Sequence, residues 1–291
     1  MIVVLPEGEI LEANWAFAEF IGYSVEELSG MKAFNFMHPA DQKSGVEDRK
    51  RLYAGEVERI NVERRFFNRD GRQLWAQLGV SVMQIPGLDP VQVVLVQDIT
   101  DRKAASEALA KNTKLLDLVR EVALAANQNM DFHEVVEFSL GRVCAFTGWP
   151  VGHAYVLPEN DEGSLEPMRI WYLSDPEKFE SFRRLTETYS VDRKRQLAGE
   201  VLDTGNLVWR ERLPIDLSSV GPRRKLIQKV GLKSGFATPV KVGDQTVGVL
   251  EFFSYERTER DEGLADALIQ VGNELGRVFE RQRADHALQT R

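Results

Sequence analysis

Apolar and polar positions follow two rhythms along this chain, and the changes of rhythm mark out its elements. Residues 74–82 alternate strictly, with Leu74, Ala76, Leu78, Val80 and Val82 on one side, which predicts a strand with one buried face. Strand-like runs at 57–67 and 91–99 flank it. The first joins through Asn68-Arg69-Asp70-Gly71, a strong hairpin signal, and the second through Pro86-Gly87 and Asp89-Pro90. Upstream, 2–5 and 10–13 read as a hairpin around Pro6-Glu7-Gly8. A short helix over 15–21 stops at Gly22, Ser24 and Glu27 have capping-box spacing, and 41–53 form a polar helix. Residues 1–100 therefore predict one mixed α and β domain.

Over 101–127 the rhythm becomes three-four. Ala105, Ala108, Asn112, Leu115, Val119, Val122 and Ala126 make a seam of coiled-coil type with one polar member, Asn112, of the kind that fixes register. The competing reading is a helix packed on its own domain. Phe132, Val135, Val136, Leu140, Val143 and Cys144 then form the apolar face of an amphipathic helix. Strands are expected at 151–157 and 168–173, helices at 176–189 and 199–204, and a short strand at 207–209. After a polar loop and helix, a hairpin runs over 235–242 and 247–254, turning at Gly243-Asp244. A last helix from 259 repeats Leu264, Leu268, Val271, Leu275 and Val278, and it reads as a second seam. The predicted class is α+β: two domains, each with a central antiparallel sheet flanked by helices, joined and followed by long coiled-coil helices.

Two sets of residues resemble known families. In the first domain they are Asn14, Gly22-Tyr23-Ser24 with Glu27-Leu28, His38-Pro39 with Asp41, the 68–71 turn followed by Trp75, and Asp98-Ile99-Thr100 ahead of Asp101-Arg102-Lys103. Their order and spacing resemble a PAS sensor domain. In the second they are 147–156, Gly199 with Val201 and Gly205, 237–240, and the strand 247–254, which resemble a GAF domain. The resemblance implies a PAS domain at 1–100, a helical linker at 101–127, a GAF domain with its terminal helix at 128–282, and a connector at 283–291. No helix precedes the first strand, and the end is charged. The chain is thus expected to be a piece of a longer protein whose effector follows it.

Composition narrows the chemistry. The net charge is −8 with both signs interspersed, so no basic stripe suggests nucleic acid and nothing suggests an anionic membrane. No apolar run approaches a bilayer span or a signal peptide, and Cys144 is the only cysteine; the expectation is a cytoplasmic protein. Glu107-Ala108-Leu109 spells a phosphodiesterase tripeptide but sits in a helix without the surrounding carboxylates. No phosphate loop, phosphoacceptor box around His286, GGDEF-like motif, catalytic triad or zinc cluster can be proposed, so no catalytic or metal residue is assigned. Cys144 lies on an apolar helix face. A buried, inert thiol is favoured there over a bilin anchor, and 1–100 contain no cysteine for a flavin adduct. The cofactor is left open.

Ligand-pocket candidates are Trp15, Phe36 and Trp75 in the first domain and His153, Tyr155 and Trp171 in the second, although for His153 a hydrogen-bonded structural role is favoured over a ligand contact. Asp98, Thr100 and Asn112 are the signal-coupling candidates. The functional expectation is a sensing and transmitting module, dimeric through its linker helices, that relays a small ligand or cofactor signal to a histidine kinase effector. A diguanylate cyclase effector and a ligand-free dimerisation scaffold are the alternatives.

Overall fold

The computed structural model describes residues 1–84, 86–87, 89–128, 130–158, 163–188, 191–192, 196–213 and 222–289. The chain divides into two compact units, Met1–Ala110 and Lys111–Arg291.

Unit 1 opens with β1 (Ile2–Val4) and β2 (Ile10–Ala13). Next come α1 (Trp15–Ile21), α2 (Val25–Leu28), a 3-10 turn at Ala33–Phe36 and α3 (Pro39–Tyr53). Three long strands follow: β3 (Arg59–Phe67), β4 (Gln73–Met83) and β5 (Val91–Asp98). The five strands pair antiparallel in the order β2-β1-β5-β4-β3. The local signals act as expected. Asn14 caps α1 through the Phe17 N–H, and Gly22 ends that helix in the left-handed region at φ 80°, where a side chain would be strained. Ser24 and Glu27 form the capping box of α2. Leu74, Ala76 and Leu78 point into the core with Phe17, Ile21 and Phe36.

Helix α4 (Thr100–Ala126) is one uninterrupted helix that begins in unit 1 and ends in unit 2. Unit 2 continues with α5 (Phe132–Thr147), β6 (Val151–Val156), β7 (Ser164–Leu173) and α6 (Pro176–Thr186). It goes on through β8 (Val191–Asp192), α7 (Gln196–Thr204), β9 (Val208–Arg210) and α8 (Pro222–Val230). It ends in the hairpin β10 (Ser234–Val242) and β11 (Gln245–Ser254), then α9 (Glu262–Gln289). The six strands run β8-β7-β6-β11-β10-β9, and every pairing is antiparallel. Three readings touch residues outside the described ones: the end of the 176–189 helix at Tyr189, the polar loop at 214–221, and the end of the 283–291 connector.

Helices cover both faces of this second sheet, so β10 and β11 are buried along almost their whole length. On one face Val136, Leu140 and Val143 of α5 meet Leu268, Val271 and Leu275 of α9, together with Phe236 and Phe252. On the other, Phe179, Phe182, Leu197 and Val201 pack against Val151, Tyr155, Val249 and Phe253. Helix α9 lies so close to β10 that a Cβ built on Gly272 would stand 2.1 Å from the Pro239 carbonyl oxygen, and one on Gly276 would stand 1.7 Å from that of Lys241. Only glycine permits this approach.

Two seams need correction. Leu264, Leu268, Val271, Leu275 and Val278 are all buried in unit 2's own core, so the stripe on the last helix covers its sheet. Leu115, Val122 and Ala126 of the linker seam are buried in the same core, joined by Leu118 and Ala125. The exposed apolar residues of α4 lie one position away, at Leu109 (68%) and Leu116 (68%), with Leu124 further on. Ala105, Leu109, Asn112 and Leu116 therefore form the exposed stripe, and Asn112 keeps its place in it. A three-four spacing shows that a face is apolar. It does not say what covers that face.

Candidate functional site

The junction between β5 and α4 is tied to the sheet at several points. Thr100 Oγ1 accepts a hydrogen bond from the Trp75 N–H at 3.0 Å, and the Trp75 carbonyl accepts from the Ile99 N–H at 2.9 Å. Asp98 Oδ1 accepts from the Thr100 N–H at 2.8 Å, which closes a side-chain-to-backbone turn just before the helix. Glu63 on β3 then pairs with both Arg102, at 3.0 Å, and Lys103 on the first turn of α4. The Trp75 ring is flanked by Lys103 and Arg65. Trp75, Asp98 and Thr100 thus belong to one connected junction. Glu63 belongs to it as well, and sequence reasoning missed it: it is one of four charged residues in β3, with nothing local to single it out.

Unit 1 holds a cavity of about 80 Å³ between its sheet and α3, with Phe34, Arg49, Val62, Leu78 and Val94 on its wall. Trp15, Phe36 and Trp75 do not line it. Trp15 is 71% exposed, and Phe36 is buried in the core against Tyr23. Beside this core, Asp41 binds the Arg65 guanidinium at 2.6 Å and 3.0 Å and its N–H at 2.9 Å, which holds the carboxyl down to about 2.

In unit 2 the structure brings His153, Tyr155 and Trp171 together. Residues 151, 153 and 155 of β6 point to the face covered by α6 and α7, as period-two alternation requires. The His153 ring stacks on Trp171 with centroids 3.8 Å apart and meets Tyr155 edge-on at 4.5 Å. Its Nε2 lies 2.9 Å from the Met168 carbonyl oxygen, and Nδ1 is buried with no hydrogen-bond partner among the described residues. Burial first, then the nearby Arg223 charge, lowers its pKa to about 3, so the ring is neutral. Burial likewise pushes the Tyr155 phenol up.

Directly across the ladder from His153 stands Glu251 on β11, fully buried. Its partner is Arg223 from α8, bonded from Nη2 to Oε1 and, at 3.5 Å, from Nη1 to Oε2. The Tyr155 hydroxyl donates to Glu251 at 3.5 Å, and Gln196 at the start of α7 accepts from Arg223 Nη1. The guanidinium lies over the rings of Phe182, at 5.1 Å, and Phe253, at 5.7 Å. Burial opposes the Arg223 charge, but Glu251 and Tyr155 outweigh it and raise the pKa. The one signal for this cluster in the sequence was a lone carboxylate inside the apolar run 247–254, which must find a cation if that strand is buried. Cys144 is buried on the opposite face, and burial pushes its thiol up, away from the reactive thiolate. Among the described residues no His, Cys, Asp and Glu cluster could hold a metal ion, and no helix is long and apolar enough to cross a membrane.

With this geometry in hand, the chain can be compared with known proteins. A PAS domain model matches residues 1–101, and a GAF domain model matches residues 129–280. The probable diguanylate cyclase DgcE of Escherichia coli (strain K12) is 26% identical over 271 residues, which is 82% of this chain and 24% of that protein. The sensor histidine kinase TmoS of Ectopseudomonas mendocina is 28% identical over 138 residues, covering 46% of this chain and 14% of its own length. The chain thus spans a quarter or less of the curated relatives it matches. The chromophore-binding domain of a Stigmatella aurantiaca bacteriophytochrome aligns with 96% of this chain and 93% of its own, at 13% identity and a TM-score of 0.42.

Proposed function

The chain belongs to the GAF domain family, with a PAS domain ahead of the GAF domain, and from that premise we propose that it senses a small ligand and passes the signal along its helices to an effector. The observation that carries this reading is α4. One helix leaves the last PAS strand at a junction fixed by Thr100, Trp75 and Glu63, and its far end is buried in the GAF core at Leu118, Val122 and Ala125. A shift of the PAS sheet at Trp75 moves Thr100, and a stiff helix carries that displacement along its axis. Helix α9 is the matching exit, packed against the hairpin that bears Glu251.

The module acts as a homodimer through the exposed stripe of α4, with Asn112 setting its register. The effector is a histidine kinase, with a diguanylate cyclase as the alternative. The chain itself is regulatory, and its site is cytoplasmic. Native mass spectrometry together with an absorption spectrum of the purified protein tests the dimer and any cofactor at once. A monomer at micromolar concentration would refute the dimeric relay. A ligand-free scaffold is the second reading, favoured by the fact that the polar groups facing Glu251 come from the chain itself.

A further inference from the structure

On the face of the GAF sheet covered by α6 and α7, the Glu251 carboxylate is paired with the Arg223 guanidinium. Glu251 is 0% exposed, and a carboxylate so placed requires a permanent partner. Arg223 supplies it from outside the sheet, on α8. The guanidinium meets two acceptors, the Glu251 carboxylate and the Gln196 amide oxygen, and lies over the rings of Phe182 and Phe253, which contact each other edge to face. A fork of N–H donors on two acceptors beside aromatic faces is guanidinium recognition, which a compact ammonium does not satisfy in the same way.

Two features show that the fit of Arg223 is incomplete. Among the described residues, His153 Nδ1 and Arg223 Nε are buried without hydrogen-bond partners. Gln196, which holds the guanidinium, is the one non-glycine among the described residues with positive φ, at 65°. Backbone strain of this kind is retained at clamps on ligands. An incoming molecule with one additional donor could satisfy His153, whose neutral ring presents an acceptor there.

We propose that the GAF unit binds a small guanidinium compound at Glu251, and that Arg223 is a resident plug which the ligand displaces. This rests on the reading of unit 2 as a sensing domain and adds the ligand class and the switch. The exchange replaces one guanidinium by another, so Glu251 stays paired in both states and the intermediate with an unpaired carboxylate is disfavoured. That is a two-state element: Arg223 in with α8 held against the sheet, or ligand in with α8 released.

The test uses ethylguanidine as the probe on the full chain and on Arg223→Ala, read by Trp171 fluorescence and thermal melting. Removing the plug lowers the melting temperature. Ethylguanidine then restores it and binds the variant at least about tenfold more tightly than the wild type, because the wild-type site is occupied by Arg223 for most of the time. The double variant Arg223→Ala/Glu251→Gln loses the response. Equal rescue by ethylurea or ethylammonium, equal rescue of the double variant, or equal affinity in the wild type would each overturn the proposal. If the alanine variant does not fold, Arg223→Gln, which keeps the stem, carries the same comparison. Failure of the relay shows separately: the probe would bind with no change in hydrogen exchange along α9.

Discussion

Replacing Gly276 by alanine asks how much of the GAF unit depends on the close approach of α9 to β10. The added carbon would lie 1.7 Å from the Lys241 carbonyl oxygen, whereas real contacts of this type stay beyond 3.0 Å. The obstacle is the backbone of Lys241, paired with Thr246 at the hairpin end of β10, and α9 must retreat by about 1.3 Å to clear it. A radial gap of about 1 Å already forfeits up to half of the dispersion energy across a packed surface. The residues facing that gap are Leu268, Val271, Leu275 and Val278, all buried to within 1%. Overpacking alone costs about 1–3 kcal/mol, and the opened interface brings the total to about 4 kcal/mol. Alanine returns about 1 kcal/mol of helix propensity, which leaves a net loss of about 3 kcal/mol. With a urea m value of about 2 kcal/mol/M, the GAF midpoint falls by about 1.5 M. Urea titration of the full chain, followed through the buried Trp149 and the half-buried Trp209, reads this directly, and the PAS transition serves as an internal control. A midpoint unchanged or raised would mean that helix propensity wins, and the close docking of α9 would be refuted.

Other expectations follow from single groups. His153 is neutral in the fold and titrates at 6.5 when unfolded, so the unfolded chain binds the extra proton. GAF stability is therefore intact above pH 6.5 and falls as pH drops from there towards 3, by up to about 1.4 kcal/mol per unit; denaturant titrations at pH 7 and 5 check it, and His153→Gln should flatten the slope. Asp41 has its pKa lowered from 3.8 to about 2, so its contribution is present above pH 3.8 and lost as pH falls through 2. Asp41→Asn should remove that acid dependence from the PAS transition, seen by Trp75 fluorescence, and an unchanged acid profile would sink the assignment. Leu109→Glu with Leu116→Glu should convert a dimer to monomer in sedimentation without lowering either unfolding midpoint; a dimer of undiminished affinity would show that the exposed stripe of α4 is not the interface.

The legible part of this fold lay where sequence signals are local. Capping residues, the Asp70-Gly71 turn and the alternation at 74–82 each depend on neighbours in sequence; the caps and the turn form as read, and the alternation holds through Leu78, while Val80 and Val82 are only half-buried. The seams were harder for a physical reason. A stripe such as Leu264, Leu268 and Val271 is required equally by a partner helix and by the helix's own sheet, and only the tertiary arrangement decides between them. The same holds for the site. His153, Tyr155 and Trp171 could be named because aromatic and histidine residues on one strand face are conspicuous. Glu251 and Arg223 lie 28 residues apart on different elements, and no spacing rule connects them. Trp15, conspicuous by type, lies on the surface. Residue type nominates pocket candidates, but strand parity and the need to neutralise a buried charge select among them.

The central claim is that the PAS junction and the GAF core are coupled through α4. Its most direct test is hydrogen exchange with mass spectrometry on the wild type and on Thr100→Val, which removes the hydroxyl that accepts from the Trp75 N–H. The account predicts faster exchange at Trp75 and along the first turns of α4, continuing past Ala110 into the peptides that carry Leu115 and Leu118. Faster exchange confined to residues 73–103, with the rest of α4 unchanged, would contradict it.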